Sequence, residues 1–468
     1  MADSKVRGLS RVTSEFELEG RIPAGKAILL GMQHVLAMFV GNLTPILVIG
    51  GACSLGDAGL LTPLIQNAML VAGLVTLVQL WTIGPIGARL PCVMGTSSGF
   101  IGVCNGVAAS MGGGIIAYGA ILGACMIGGF FEMVLGFLLK PLRRFFPSIV
   151  TGTVVIAIGL SLISVGINSF GGGNTSADFG DPVNLLVGLI VLVTIVLMKN
   201  LNKGILSSAS ILFGIIVGYI VCSILPLFLP TTFTVGEETF VHSWVLQWEK
   251  VAAAEWISLP QIMPVPLVFD ARAIIPIMIM FIVTTVETIG DLSGITEGGL
   301  GREATDRELS GGVACDGIGS SFATVFGVLP NTSFSQNVGL VGMTKVVNLY
   351  AISMGALFLV LCGFCPKLAA IIQMMPQPVL GGAAVMMFAS IVVSGIQLMT
   401  RDGIGSREVT IAAVSLGLGY GLGSTANALS RLSVWFGYIF GGSGIVPAAV
   451  CAIFLNIVLK KNPKEPDR

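Results

Sequence analysis

Carboxyl side chains within long apolar segments are the residues of this sequence that most clearly indicate chemistry. Glu287 lies in MFIVTTVETIGD, and Asp291 follows four residues later, on the same face of a helix. Asp316 lies among small residues in GGVACDGIGSS. A charged side chain at the centre of a bilayer costs about 2.5–3.5 kcal/mol. Glu287 is therefore predicted to bind a ligand or cycle a proton, and Asp316 is predicted to carry a proton. Asp291 is a further candidate for proton coupling or site geometry. The alternative for Glu287 is a protonated carboxyl that is bonded to a neighbouring helix, and the alternative for Asp316 is a cap at a helix terminus.

Four other polar residues interrupt apolar sequence. His34, in GMQHVLAMF, is a candidate for relaying protons or orienting a carboxylate. Gln336 and Asn337 follow a Pro-containing break, and the Gln side chain presents two donors and an acceptor in one plane. Such a group suits the edge of a heterocyclic amide better than a simple ion. Glu132, in GGFFEMVLG, has no supporting neighbour in the sequence and is interpreted as a packing residue.

The cysteines indicate neither a metal nor a cofactor. Nine are present, most of them single within apolar runs, where Cys acts as a small hydrophobe. Cys362 and Cys365 form one Cys-x-x-Cys pair, but no second pair or nearby His completes a zinc site. We therefore predict that this pair packs, and that the protein uses no cofactor.

The composition places these residues in a membrane. Of 468 residues, 54% are hydrophobic and 10% are charged, against about 25% charged in soluble domains. Mean hydropathy is +0.94. The formal net charge is zero, so no nucleic-acid partner is expected. The bilayer is the predicted solvent for most of this chain.

Apolar stretches of spanning length recur along the whole sequence. About 14 segments are expected, several of them short or interrupted by Gly and Pro. Their predicted bounds are 26–50, 59–82, 91–110, 115–138, 148–168, 183–198, 205–230, 271–293, 309–326, 330–346, 347–363, 368–395, 407–425 and 432–459.

Lys and Arg in the loops predict the orientation. One set of alternate loops and the C-terminal tail is basic, whereas residues 51–58 and 169–182 of the opposite set contain neither residue type. Both termini are therefore placed in the cytoplasm. The basic set consists of Lys140, Arg143, Arg144, Lys199, Lys203, Arg302, Arg307, Arg401, Arg407, Lys460, Lys461 and Lys464.

An internal repeat relates the two halves. Residues 147–167 align without gaps with residues 376–396, with six identities in 21 positions. These are the fifth and twelfth segments, and an odd offset of seven spans makes the copies run in opposite directions. Such inverted repeats are common in secondary carriers.

Segments three and ten form a second pair with the same offset. They open with Met94-Gly95-Thr96-Ser97-Ser98 and with Pro330-Asn331-Thr332-Ser333-Phe334-Ser335. Corresponding broken helices indicate a binding site near the midplane, where helix N-termini present free N–H groups. The predicted ligand-binding residues are Glu287, Gln336, Ser335, Ser97 and Ser98.

The sequence from Gln336 to Lys345, QNVGLVGMTK, resembles the signature of the nucleobase–ascorbate transporter family, the nucleobase:cation symporters. Gln33-His34 resembles a second family motif in the first helix. Residues 286–291 and Asp316 also lie where that family has its motifs. The resemblance covers residues 20–460.

This resemblance implies an architecture. The predicted fold class is an all-α polytopic membrane protein of about 14 segments in a 7+7 inverted repeat, with short strands at broken segments three and ten. Segments 1–4 and 8–11 would form a core domain that moves like an elevator past a gate domain of segments 5–7 and 12–14. A homodimer is implied. The chain divides into cytoplasmic tail 1–25, first repeat 26–230, outer loop 231–270, second repeat 271–459 and cytoplasmic tail 460–468.

The resemblance also implies roles. Glu287 and Gln336 would bind the base, Asp316 and Asn337 would be essential to coupling or site geometry, and His34 would tune affinity. Family members with Gln at the first signature position resemble carriers of xanthine or uric acid, whereas uracil carriers usually have Glu. Many members carry an aromatic residue where this sequence has Ser98, which leaves the stacking wall and the choice of purine open.

We therefore predict a proton-coupled symporter, not an enzyme, that imports xanthine and/or uric acid across the cell (inner) membrane. Its expected partners are the purine, protons, the lipid bilayer and a second copy of the chain. The alternatives are a uracil or other nucleobase permease of the same family and an inorganic-anion carrier of the same fold. A channel and an intramembrane enzyme are further alternatives, and the sequence contains no His-Glu-x-x-His motif that would favour an enzyme.

Overall fold

The computed structural model describes residues 14–139, 145–201, 207, 209–429, 431, 436, 440 and 444–459. The tail 460–468, most of the tail 1–25 and the basic residues Lys140, Arg143, Arg144 and Lys203 lie outside these ranges. The described chain is mostly helical, with four short strands.

The first half begins with two long helices and a broken segment. Its elements are α1 (Ala24–Ala52), α2 (Leu61–Trp81), β1 (Met94–Thr96), a 3-10 turn (Ser98–Phe100), α3 (Ile101–Ser110), α4 (Gly114–Phe137), α5 (Ser148–Phe170), α6 (Pro182–Leu201) and α7 (Ser210–Ile224). A second 3-10 turn, Leu225–Leu227, follows α7.

The loop between the halves contains a β-hairpin and a short helix, and the second half has the same kind of broken segment. Its elements are β2 (Thr232–Val235), β3 (Glu238–Val241), α8 (Trp248–Ala253), α9 (Ala271–Ile295), a π-helical turn (Thr296–Leu300), α10 (Asp306–Val325), β4 (Asn331–Ser333), α11 (Ser335–Thr344), α12 (Leu349–Cys362), α13 (Pro366–Gln373), α14 (Gln377–Thr400), α15 (Ser406–Ser424), a 3-10 turn (Ala426–Leu429) and α16 (Ile445–Val458).

Eight of the described helices are long and apolar enough to cross a membrane, or nine if α12 and α13, bent by 85°, form one span. The predicted fold class, a polytopic helical membrane protein, is confirmed. The count of 14 spans stays a prediction, because the remaining apolar elements are shorter or broken. The start of the last predicted segment, 432–459, falls largely outside the described residues.

The predicted apolar segment 368–395 covers parts of two helices. The chain ends α13 at Gln373 and begins α14 at Gln377. Pro376 stands at the N-cap of α14 and Pro378 in its first turn. Proline is tolerated at a helix start but lacks the N–H that a helix interior requires, so these residues divide the apolar stretch.

Helices α5 and α14, the proposed repeat pair, pack against each other with reciprocal contacts. A Cβ atom added at Gly152 would lie 2.4 Å from the backbone nitrogen of Met399, and one at Gly381 would lie 2.0 Å from that of Phe170. The two contacts are related by the offset that aligns Pro147 with Pro376. Such reciprocity is what a two-fold relation between the helices requires, and it supports the inverted repeat, which stays a prediction.

Candidate functional site at the paired strands

Strands β1 and β4 pair antiparallel in the centre of the molecule, with Met94 opposite Ser333 and Thr96 opposite Asn331. All six of their residues are buried. Each strand leads into a helical segment, the 3-10 turn with α3 on one side and α11 on the other. Two helix N-termini with free N–H groups therefore flank the same short sheet. The short strands expected at segments three and ten are present.

Side chains from neighbouring helices hold the strands in equivalent ways. The Thr76 hydroxyl accepts from the Met94 N–H at 2.9 Å and donates to its carbonyl at 3.2 Å. The Ser320 hydroxyl accepts from the Asn331 N–H at 3.1 Å and donates to its carbonyl at 2.9 Å. Asn42 adds a bond from the Thr96 N–H to its Oδ1 at 2.7 Å. Backbone without a helical partner is thus satisfied within the protein, as membrane burial requires.

Glycine at position 95 lets an aromatic ring approach the strand. A Cβ atom at Gly95 would lie 2.8 Å from the Phe334 ring and 2.6 Å from the Met38 methyl group. Phe334 is 6% exposed and precedes α11. Sequence reasoning did not identify this ring, although its position beside the break was a usable signal.

Glu287 stands beside these strands with its carboxyl unbound. The residue is 6% exposed, and no hydrogen bond joins its carboxyl to any residue that the structure describes. A Cβ atom at Gly99 would lie 3.8 Å from Glu287 Oε2 and 3.5 Å from Ser97 Oγ. The Ser97 hydroxyl is buried and also lacks a partner among the described residues. Carboxyl and hydroxyl therefore face one space next to the 3-10 turn that contains half-buried Ser98.

The signature residues at the start of α11 divide into two groups. The half-buried Gln336 makes no hydrogen bond within the described part of the chain, so its amide is available to a ligand. Asn337 is fully buried, and its Nδ2 donates to the His34 carbonyl at 3.1 Å and lies 3.3 Å from His34 Nδ1. Asn337 and His34 thus fix α11 against α1. Lys345, at the end of the signature, is exposed and donates to the Gly298 carbonyl.

Asp291 and Asp316 are each held by two hydroxyl groups. Asp291 accepts from Ser333 at 2.7 Å and from Ser335 at 2.8 Å. The hydroxyl of Ser335, a predicted ligand-binding residue, is thus directed to Asp291.

Asp316 Oδ2 accepts from Thr288 and, at 3.3 Å, from Thr332, whereas its Oδ1 has no partner in the described chain. Ser333 Oγ lies 3.4 Å from Thr288 Oγ1. These hydroxyls connect the two carboxyls.

Glu132, interpreted from sequence as a packing residue, also lies in this region. It is fully buried on α4, and its Oε1 accepts from Thr284 at 2.9 Å and Thr285 at 3.2 Å, both on the helix of Glu287. The sequence did place hydroxyls next to Glu287, in TTVET, but nothing in it linked them to α4. Among the described residues, no three His, Cys, Asp or Glu side chains converge closely enough to hold a metal ion.

Comparison with known proteins gives a consistent set of relatives. A family model described as the Permease family matches residues 25–427. A Clostridium perfringens protein with a provisional purine-permease name is 39% identical over 439 residues, 94% of this chain and 91% of that protein. The xanthine permease XanP of Escherichia coli is 31% identical over 95% of this chain and 94% of its own length. The uric acid permease PucK of Bacillus subtilis is 33% identical over 94% of this chain and 97% of its own length.

Solved structures share the fold at much lower identity. The transmembrane domain of the cyanobacterial bicarbonate transporter BicA superposes with a TM-score of 0.56 at 16% identity, over 92% of this chain and 97% of that domain. At this identity the likeness concerns the fold alone.

Proposed function

The chain belongs to the Permease family, and from that premise we propose that it is a proton-coupled symporter for an oxidised purine, xanthine and/or uric acid. It is a multi-pass membrane protein of a transporter class. In this proposal it lies in the inner membrane with both termini in the cytoplasm.

The observation that carries the proposal is the unbound carboxyl of Glu287. A buried polar group without a partner costs about 1–3 kcal/mol, and a charged one costs more. Glu287 is buried beside a hydroxyl, Ser97 Oγ, that also has no partner among the described residues. Such a pair of free groups between two broken segments is typical of a site that is completed by its ligand.

The available groups match the edge of an oxidised purine. Its ring N–H groups can donate to the Glu287 carboxylate, and its carbonyl oxygens can accept from the Gln336 amide. These side chains project from α9 and α11, two helices that meet beside β4. The substrates in the names of XanP and PucK, xanthine and uric acid, support this class of ligand.

Coupling to protons and movement of one domain past another complete the proposal. Asp316 and Asp291 are buried carboxyls next to Glu287 with hydroxyl donors and no cation bound to them in the described chain. Binding of a proton to this group would reduce its charge before the site moves across the bilayer. We further propose the 7+7 inverted repeat, the core and gate division and the homodimer implied by the family resemblance.

Uptake of labelled xanthine and urate into cells that lack their own purine permeases tests this function. Saturable uptake that collapses with a protonophore is expected, with competition by the preferred purine and none by bicarbonate. Glu287→Gln should weaken binding about 10- to 100-fold, as for loss of hydrogen bonds to a charged group. Glu303→Gln, a change at an exposed glutamate, is the matched control.

Three results would contradict parts of the proposal. Uptake that survives collapse of the proton gradient would exclude proton coupling. Full retention of affinity by Glu287→Gln would remove Glu287 from the binding site. Competition by uracil or bicarbonate in place of purines would favour another nucleobase or an inorganic anion as the substrate.

A further inference from the structure

Glu132 on α4 is a fourth buried carboxyl that neither the signature motifs nor the proposed purine contacts include. We propose that Glu132 binds one proton that enters with the substrate and leaves on the cytoplasmic side, so that it belongs to the coupling machinery. This inference rests on the proposed function, because it concerns the protons of that same transport.

The first support is how Glu132 is bound. Its Oε1 accepts two hydroxyl hydrogen bonds, from Thr284 and Thr285. Its Oε2 is buried without a partner among the described residues. An oxygen with free bonding capacity inside the protein can take up and release a proton without breaking either of the two bonds at Oε1.

The second support is a shared pattern. Within the described membrane-spanning helices, Glu132, Asp291 and Asp316 each accept from two Ser or Thr hydroxyls. Glu287 accepts from none, which leaves it for the substrate. Glu132 therefore has the same environment as the two carboxyls that are predicted to serve coupling, and not that of a side chain that fills space.

The third support is its charged surroundings. The ionisable side chains that interact with Glu132 are acidic, Asp316 on α10 and Glu287 on α9. Helix α3 also packs against α4, and the only titratable side chain of α3 is Cys104. Arg272, at the start of α9, pairs with Asp270, and Arg307, at the start of α10, donates to loop carbonyls.

Close packing of α4 against α10 places Glu132 next to Asp316. A Cβ atom at Gly317, beside Asp316, would lie 2.9 Å from the carbonyl carbon of Glu132. A Cβ atom at Gly129 would lie 2.5 Å from the Gly317 carbonyl oxygen. Helices α4 and α10 are thus in backbone contact at the positions of Glu132 and Asp316. A change of charge on one of these carboxyls therefore changes the electrostatic energy of the other.

These contacts give a simple proton balance. Carboxyl groups that interact closely cannot all be ionised at once. The buried carboxyls of Glu132, Asp316 and Glu287 therefore hold protons that are shared among them and do not belong to one residue. Substrate N–H groups favour the ionised form of Glu287. Substrate binding therefore favours a proton on its acidic neighbours, including the free oxygen of Glu132. Release of the purine reverses this preference, and the proton leaves.

The test compares Glu132→Gln, which keeps the size of the side chain but cannot ionise, with Glu132→Asp and with Glu303→Gln as the control. Substrate affinity is measured against pH on purified protein, together with proton-driven accumulation and purine exchange in vesicles. The slope of log affinity against pH counts the protons taken up with the substrate. In Glu132→Gln this slope should be smaller by about one, because one proton fewer is taken up. Accumulation should fall about five- to tenfold or more, whereas exchange should persist. Glu132→Asp should restore part of the slope.

A packing role predicts a different outcome. Glu132→Gln would then keep the wild-type slope and accumulation, or would lose exchange, affinity and thermal stability together without a change in slope. Either result overturns this inference while wild-type uptake remains proton-coupled. Absence of proton-coupled purine uptake in the wild-type protein would instead contradict the proposed function itself.

Discussion

Glu287 illustrates how a single residue defines this site. Its carboxyl is buried beside Ser97 and close to the bare Cα of Gly99, and no residue in the described chain bonds it. By contrast, Asp291, Ser335 and Asn337 are bound to protein groups and position others. Residues of similar polarity in the sequence therefore divide into groups that are free for a ligand and groups that fix the geometry.

Gly99→Ala is expected to weaken purine binding. The added methyl group would lie 3.1 Å from the Met280 methyl and 3.8 Å from Glu287 Oε2, in the space next to the free carboxyl. When the purine is bound, the methyl group would overpack this space, and overpacking costs about 1–3 kcal/mol. Equilibrium binding of xanthine and urate to the purified variant measures the effect, with Gly51→Ala, which meets no neighbouring atom, as the control. Unchanged affinity would place the purine away from the 3-10 turn.

At the scale of elements, the packing of α5 against α14 depends on glycines in equivalent positions. Gly152 contacts the backbone of Met399, and Gly381 contacts that of Phe170. Because the obstructing atoms belong to helix backbones, a methyl group can be accommodated only if the helices separate.

Gly152→Ala and Gly381→Ala should therefore each lower stability by about 3 kcal/mol, the upper part of the range for overpacking. Thermal unfolding of the purified protein in detergent measures this. Gly417→Ala is the matched control, because Gly417 lies in α15 with open space around it and Ala favours a helix. Loss of stability in only one of the two variants would argue against the reciprocal packing.

Asp178 joins two elements outside the membrane-spanning helices. It accepts from the Ser243 N–H at 2.7 Å and from Asn184 Nδ2 at 3.1 Å, and so ties the loop before α6 to the segment after β3. Burial raises the pKa of Asp178, but hydrogen bonds from Ser176, Ser243 and Asn184 outweigh burial and lower this pKa to about 2.

Asp178→Asn should accordingly lower the melting temperature at pH 7. An aspartate whose pKa is depressed by folding stabilises the protein fully above its ordinary pKa and loses that effect as the pH falls toward about 2. The difference between wild type and variant should therefore narrow at acidic pH. Melting temperatures from pH 7 downward test this, with exposed Asp57→Asn as the control. A difference that is independent of pH would exclude the ionised carboxylate as its cause.

At the scale of the molecule, an ion pair between described residues connects the proposed core and gate domains. Arg401, after α14, lies 3.3 Å from Glu297 in the π-helical turn after α9. Both side chains are about one-third exposed, so the pair itself stabilises by at most about 1 kcal/mol. The position of this ion pair can be used to test the proposed movement, because an elevator movement of the core would separate Glu297 from Arg401.

A short thiol cross-linker between Glu297→Cys and Arg401→Cys is therefore expected to stop purine exchange, with recovery on cleavage of the linker. Arg302→Cys with Glu308→Cys, at a salt bridge within the proposed core, is the control and should remain active. Exchange assays in vesicles before and after cross-linking provide the measurement. Full activity of the cross-linked first pair would contradict relative movement of the two domains.

The sequence alone determined that this protein lies in a bilayer, and it named most residues of the candidate site. Recurring apolar segments in a chain with only 10% charged residues require a bilayer. Glu287, Gln336 and the two broken segments stand out because polar groups are costly there. Helical periodicity also placed Asp291 on the face of Glu287. These features are local, and local sequence reports them directly.

Only the tertiary structure decided which groups are free and which are bound. The partners of Glu132 lie on α9, those of Asp291 in and beside β4, and the ring of Phe334 packs on Gly95. Hydropathy identifies the helices that are kept from water, but it does not identify which neighbouring helix packs against each face. In a membrane nearly every helix face is apolar, so apolarity does not distinguish one partner from another. The physical roles of the polar residues therefore came from the packing.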